Sequence, residues 1–104
     1  MIMAYKFGII VSYDCTQNKT RQKIIDICLN FDLTRIQYSV FTGSLTAPAL
    51  KDLKTALKQA IEKGGPLSIL VQKIAVGEIN DFELIERMEE RLHRFHKYSR
   101  SRLL

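Results

Sequence analysis

From Tyr5 to Asp14 the chain alternates in a way that only an extended strand can use. Tyr5, Phe7, Ile9, Val11 and Tyr13 recur at every second position, and Gly8, Ser12 and Asp14 fall between them. Side chains on a strand point to opposite faces with a period of two, so this segment carries one large apolar face. The other face is small and polar and ends in a lone carboxylate. A chain that contains such a strand must build a sheet with one side packed and the other side differently employed.

A second run repeats the pattern. In Leu33–Phe41, residues Ile36, Tyr38 and Val40 form one row, and Arg35, Gln37, Ser39 and Phe41 form the other. Tyr13-Asp14 together with Arg35-Ile-Gln-Tyr-Ser-Val-Phe41-Thr-Gly43 closely resembles the CRISPR-associated Cas-two family, the small partner of the spacer integrase. The resemblance runs in the right order over roughly the first three quarters of the chain. It implies a homodimer and a nuclease role assigned to family members, with motif positions matching Asp14, Arg21, Lys23, Arg35, Ser39 and Phe41. Lys23 stands where an arginine is common, which keeps the charge but loses the bidentate fork for phosphate.

The remaining punctuation orders the elements. Thr16 or Asn18 is placed to cap a helix running to about Phe31, with Ile24, Ile27, Cys28 and Phe31 on its buried side, and Asp32 closes it. The strand motif that follows divides near Phe41–Leu45, where Gly43 permits a bend. Thr46 caps a second helix, Pro48 sits in its first turn, and Leu50, Leu53, Leu57 and Ile61 form its core stripe up to Gly64-Gly65. Leu67–Ile74 is the next strand. Strand, helix, two strands, helix, strand is an α+β, ferredoxin-like βαββαβ sandwich, with both helices on one side of the sheet.

The other side is then left without a cover. A face bearing Ile10, Leu70 and Phe41 among polar groups predicts pairing with a second copy. Residues 1–79 make the ferredoxin-like domain, and residues 80–104 an added C-terminal amphipathic helix and basic tail. That helix is expected from Asp81 to about Tyr98, with Phe82, Ile85, Met88, Leu92 and Phe95 at helical spacing. In the family the tail usually adds a strand to the partner subunit; Val76–Ile79 is the segment available for that strand.

With 104 residues, the chain makes one domain with a modest core. No stretch is long enough to span a membrane, and Lys6 interrupts what a signal peptide would keep apolar, so a cytoplasmic protein is expected. Cys15 and Cys28 have neither zinc nor redox spacing; Cys28 reads as a small buried hydrophobe and Cys15 as incidental. Residues 1–90 balance 11 basic against 11 acidic side chains, so the net charge of +5 rests on Arg91, Arg94, Lys97, Arg100 and Arg102. Such a block is either a solvated tail or a contact for a polyanion.

The candidate chemistry centres on Asp14, at the junction of strand and loop. Without the family motif, capping or an Asx-turn is the ordinary role for an acid there; with it, a catalytic and metal-binding role takes precedence. One carboxylate is too few for a strong magnesium site, since the ion favours one or two carboxylates plus water and phosphate oxygens. A two-fold dimer would supply the second, and two facing Asp14 side chains repel until a cation lies between them. The expectation is one Mg²⁺ or Mn²⁺ shared by two Asp14 residues and used for phosphodiester hydrolysis.

Arg21, Lys23, Arg35, Ser39, Phe41, Arg94, Lys97, Arg100 and Arg102 are the nucleic-acid-binding candidates. Taken singly, Arg21 and Lys23 read as a solvated helix face, Arg35 as half of a salt bridge and Phe41 as core. His93 and His96 have no acidic or thiol companion and read as surface residues. No motif for sequence-specific readout is present, so contacts to duplex DNA or RNA should fall on phosphates. The sequence thus predicts a spacer-acquisition protein working with a Cas-one type integrase. Two alternatives stay open: a non-catalytic adaptor bridging integrase and DNA, and a related toxin ribonuclease.

Overall fold

The computed structural model describes residues 5–62 and 67–85. Strand β1 (Lys6–Cys15) leads through a short loop into helix α1 (Asn18–Asn30). Strands β2 (Thr34–Gln37) and β3 (Val40–Thr46) form a hairpin, helix α2 (Ala47–Ala60) follows, and β4 (Leu67–Ile74) returns to the sheet. The strands lie in the order β2-β3-β1-β4, each antiparallel to its neighbours. This is the ferredoxin-like arrangement that the element order predicts.

The alternation in β1 explains where the core sits. Ile9, Val11 and Tyr13 are buried with Phe41 and Leu45 of β3, against Ile24 and Cys28 of α1 and Leu50, Leu53 and Leu57 of α2. Both helices therefore cover the odd-numbered face of β1. On the even-numbered face Ser12 lies opposite Leu70 and Asp14 opposite Ser68, and Leu70 remains 57% exposed.

Helix ends follow local chemistry. The Thr46 hydroxyl accepts a hydrogen bond from the Ala49 amide (3.3 Å) at the start of α2, with proline in the first turn. α1 starts instead at Gln17, whose side chain caps no backbone amide, so neither Thr16 nor Asn18 is the cap. α1 ends with Asp32 at φ 60. There the Asp32 amide donates to the Leu29 carbonyl and the Leu33 amide to the Cys28 carbonyl. That pair of bonds is the Schellman motif, in which glycine usually holds the left-handed position. α2 stops at Ala60, and Ile61 is a half-exposed cap rather than the end of the buried stripe; Gly64 and Gly65 lie outside the described residues.

The second strand run departs from its predicted geometry. It divides at Tyr38–Ser39, before Phe41 rather than after it, and the register shifts between Arg35 and Gln37. Gly43 has another role: a Cβ there would lie 2.7 Å from Leu33 Cδ2, so glycine leaves the Leu33 side chain its present place after α1. Phe41 is fully buried on the helix-covered side, because it pairs with Val11. It belongs to the core and not to the open face.

Gly8 is the other close approach. A Cβ there would come within 2.7 Å of the Ile74 carbonyl oxygen and 2.9 Å of the Ala75 carbonyl oxygen. Immediately beyond, Val76–Glu78 forms a single 3₁₀ turn, not a strand available to a partner. Residues 81–85 have no regular structure, so the expected helix does not start at Asp81, and its remainder lies outside the described residues.

Candidate active site at the end of the first strand

Asp14 is the next-to-last residue of β1 and is exposed. Its carboxylate makes no hydrogen bond or ion pair with any described residue. Neither of its ordinary roles is therefore taken up: Gln17 is the cap of α1, and no Asx-turn forms. The acid borders a cleft of about 350 Å³ lined by Tyr13, Asp14, Cys15, Arg21, Tyr38 and Ser39.

Arg21, in the second turn of α1, faces back toward the strand end. Nε and Nη2 donate to the Cys15 carbonyl at 3.2 and 3.0 Å, and Nη2 also reaches the Thr16 carbonyl at 3.3 Å. Nη1 donates to Asn18 Oδ1 at 3.1 Å and to the Tyr38 hydroxyl at 3.4 Å. Lys23 is exposed two residues further along α1, about 200° around the helix from Arg21, and is not part of the cleft.

Tyr38, in the hairpin turn, is where the remaining contacts converge. Its carbonyl accepts from the Tyr13 hydroxyl at 3.1 Å and from Arg35 Nε at 3.1 Å. The Arg35 guanidinium lies 5.1 Å from the Tyr38 ring centroid and 5.8 Å from that of Phe41. The Arg21 guanidinium is 5.9 Å from the Tyr38 ring, a distance at which a cation is still attracted by an aromatic face. Burial pushes the Tyr13 hydroxyl up from its ordinary value, and the nearby Arg35 charge partly opposes this.

Of the predicted site residues, the structure brings Asp14, Arg21 and Ser39 to one cleft. Ser39 also fixes the turn to β1, its carbonyl accepting from the Tyr13 amide at 3.0 Å. Arg35 packs against Tyr38 and Phe41 behind that turn, and Phe41 lies in the core. Arg94, Lys97, Arg100 and Arg102 are outside the described residues. Tyr38 is the residue that sequence reasoning overlooks, because an unbroken alternation counts it as one more member of an apolar row.

Among the described residues no three His, Cys, Asp or Glu side chains converge. The donor set at Asp14 nonetheless fits a hard divalent cation in part: an exposed carboxylate oxygen with no internal partner. Its coordination would have to be completed from a second chain, water or phosphate.

A four-stranded ferredoxin-like domain with a free acid at the end of its first strand defines a class of small α+β proteins with a candidate polar site at one sheet end. The family model "CRISPR associated protein Cas2" matches residues 8–81, and the chain belongs to that family. It is 39% identical over 66 residues, 64% of this chain and 71% of the relative, to "CRISPR-associated endoribonuclease Cas2 2" of Pyrobaculum aerophilum. A "CRISPR-associated endonuclease Cas1/endonuclease Cas2 fusion" of Thermoproteus tenax is 36% identical over 64% of this chain and 25% of the fusion. The solved "Crystal structure of cas2" shares the fold, with a TM-score of 0.68 at 22% identity, over 83% of this chain and 93% of that one. No helix among the described residues is long and apolar enough to cross a membrane.

Proposed function

We propose that this chain acts in CRISPR spacer acquisition as a nucleic-acid-binding homodimer that cleaves phosphodiesters at a divalent-metal centre containing Asp14. The observation that carries this reading is the exposed Asp14 carboxylate, free of any described internal partner, beside a polar cleft. The names of the relatives support it: one is called an endoribonuclease and one is fused to Cas1. A Cas1-type integrase is accordingly the proposed partner.

Asp14 lies on the side of the sheet that the helices leave open, in the same row as Ser12. If that face pairs with a second copy, the two carboxylates become the natural ligands for one shared Mg²⁺ or Mn²⁺. A divalent ion bound there would neutralise charge on a scissile phosphate. Ser39 and the Tyr38 hydroxyl border the space that the phosphate would enter.

The test is cleavage of RNA, single-stranded DNA and duplex DNA by the parent protein and by Asp14→Asn, with magnesium or with chelator. The amide preserves size, and Asp14 has no internal bond to lose, so fold and self-association should be unchanged while metal-dependent cleavage disappears. Equal cleavage by both proteins would place the activity elsewhere. Cleavage by neither would favour a second reading, an architectural adaptor between integrase and DNA, which the Cas1 fusion also supports.

A further inference from the structure

We infer that Arg21 and Tyr38 form an internal clamp that positions Asp14, and that Arg21 is a positioning residue and not a phosphate ligand. A guanidinium has five N–H donors and no acceptor. In Arg21 one is on Nε and points to the Cys15 carbonyl; the two on Nη2 meet the Cys15 and Thr16 carbonyls; the two on Nη1 meet Asn18 and the Tyr38 hydroxyl. All five donors are engaged inside the chain. A phosphate could be gripped by Arg21 only by giving up bonds to the loop that follows Asp14.

The grip has a consequence for the carboxylate. Cys15 and Thr16 are the two residues after Asp14, and fixing both of their carbonyls against α1 fixes the end of β1 where Asp14 projects. Tyr38 supplies the second anchor. Its hydroxyl holds Arg21, and its carbonyl is held by Tyr13 and Arg35, so the β1–α1 loop and the β2–β3 turn are tied to each other through one side chain. Lysine keeps the charge of arginine but cannot reproduce a planar fork that holds two successive carbonyls.

The functional meaning rests on the proposed cleavage at Asp14; the clamp itself does not. The first test therefore needs no catalysis. In nuclear magnetic resonance spectra of the free protein, Arg21 Nη protons should be resolved by slowed rotation about Cζ–Nη, and should stay resolved on saturation with duplex DNA. Averaged signals in the free protein, or signals that resolve only on binding, would overturn the clamp. Tyr38→Phe removes one of the two acceptors at Nη1 and leaves Asn18 Oδ1, so exchange of the Nη1 protons should quicken with the fold intact; an unchanged Nη1 exchange rate in this variant would also overturn the clamp.

The second test separates positioning from binding. Arg21→Lys should leave KM and the salt slope of log affinity as in the parent and lower kcat, by about 10²-fold if the loop shifts by about 1 Å. A direct phosphate role predicts the opposite, namely a raised KM and, for Arg21→Ala, a slope smaller by about 0.9 for each duplex phosphate that the protein no longer neutralises. If Asp14→Asn cleaves as well as the parent, the cleavage assignment has failed, and the Nη signals still decide the clamp.

Discussion

Cys28 and Asp14 mark two extremes of what a single residue does here. Cys28 is fully buried in the core, and burial pushes its thiol from 9.0 up to about 12. The thiolate is the reactive form, so native Cys28 should resist a thiol reagent at pH 8 while the half-buried Cys15 reacts. A thiol-reagent assay should count one fast thiol in the folded protein and two in denaturant; two fast thiols in the folded state would contradict the packing. The same displacement sets a pH dependence. The folded thiol keeps its proton where the unfolded one releases it, so stability is fully present below about pH 9 and declines as pH rises toward about 12. Denaturant melts of the parent and Cys28→Ala across that window should converge as pH rises.

At the scale of elements, α1 ends in a motif that favours glycine, yet carries Asp32 at φ 60. Asp32→Gly should relieve the steric cost of the left-handed conformation and raise stability by about 1 kcal/mol, read as an increase in the denaturation midpoint. A decrease would mean that the Asp32 side chain stabilises the turn in a way its backbone geometry does not suggest. The elements also show what a sequence conveys. β1 is legible because a large apolar residue stands at every odd position from Phe7 to Tyr13, and α2 because Thr46 and Pro48 mark its start. The β2–β3 turn is not, since Tyr38-Ser39 lacks the glycine or asparagine that announces a tight hairpin. Gly43 draws the turn assignment instead, although its absent side chain serves Leu33 and not a turn. Asp14 can be singled out from its strand end and its motif. The clamp around it cannot, because it depends on which donors of Arg21 meet which carbonyls.

For the whole molecule, the sheet has one face closed by two helices and one bearing Leu70 at 57% exposure in the same row as Ser12 and Asp14. If two copies meet on that face, Leu70→Arg places a charge in an apolar contact and should weaken self-association by at least 10-fold, about 1.4 kcal/mol. Sedimentation over a concentration series would measure it, and a parent protein that stays monomeric at micromolar concentration would sink the dimer altogether. Fold class and helix placement are readable from element order, because each element buries one face and short, right-handed connections leave few sandwiches that satisfy them all. The fate of the chain after β4 is not, since Val76-Gly-Glu-Ile79 is too short to show a periodicity that separates strand from 3₁₀ turn.

The missing side chain at Gly8 finally sets a heading. With hydrogen in place of a methyl group, the backbone of Ile74 and Ala75 runs directly against β1, and the chain steers out of the sheet at that point into its 3₁₀ turn. The entry into that turn thus depends on a residue some seventy positions earlier, where a single hydrogen stands in place of a carbon that the Ile74 and Ala75 carbonyls would have to avoid.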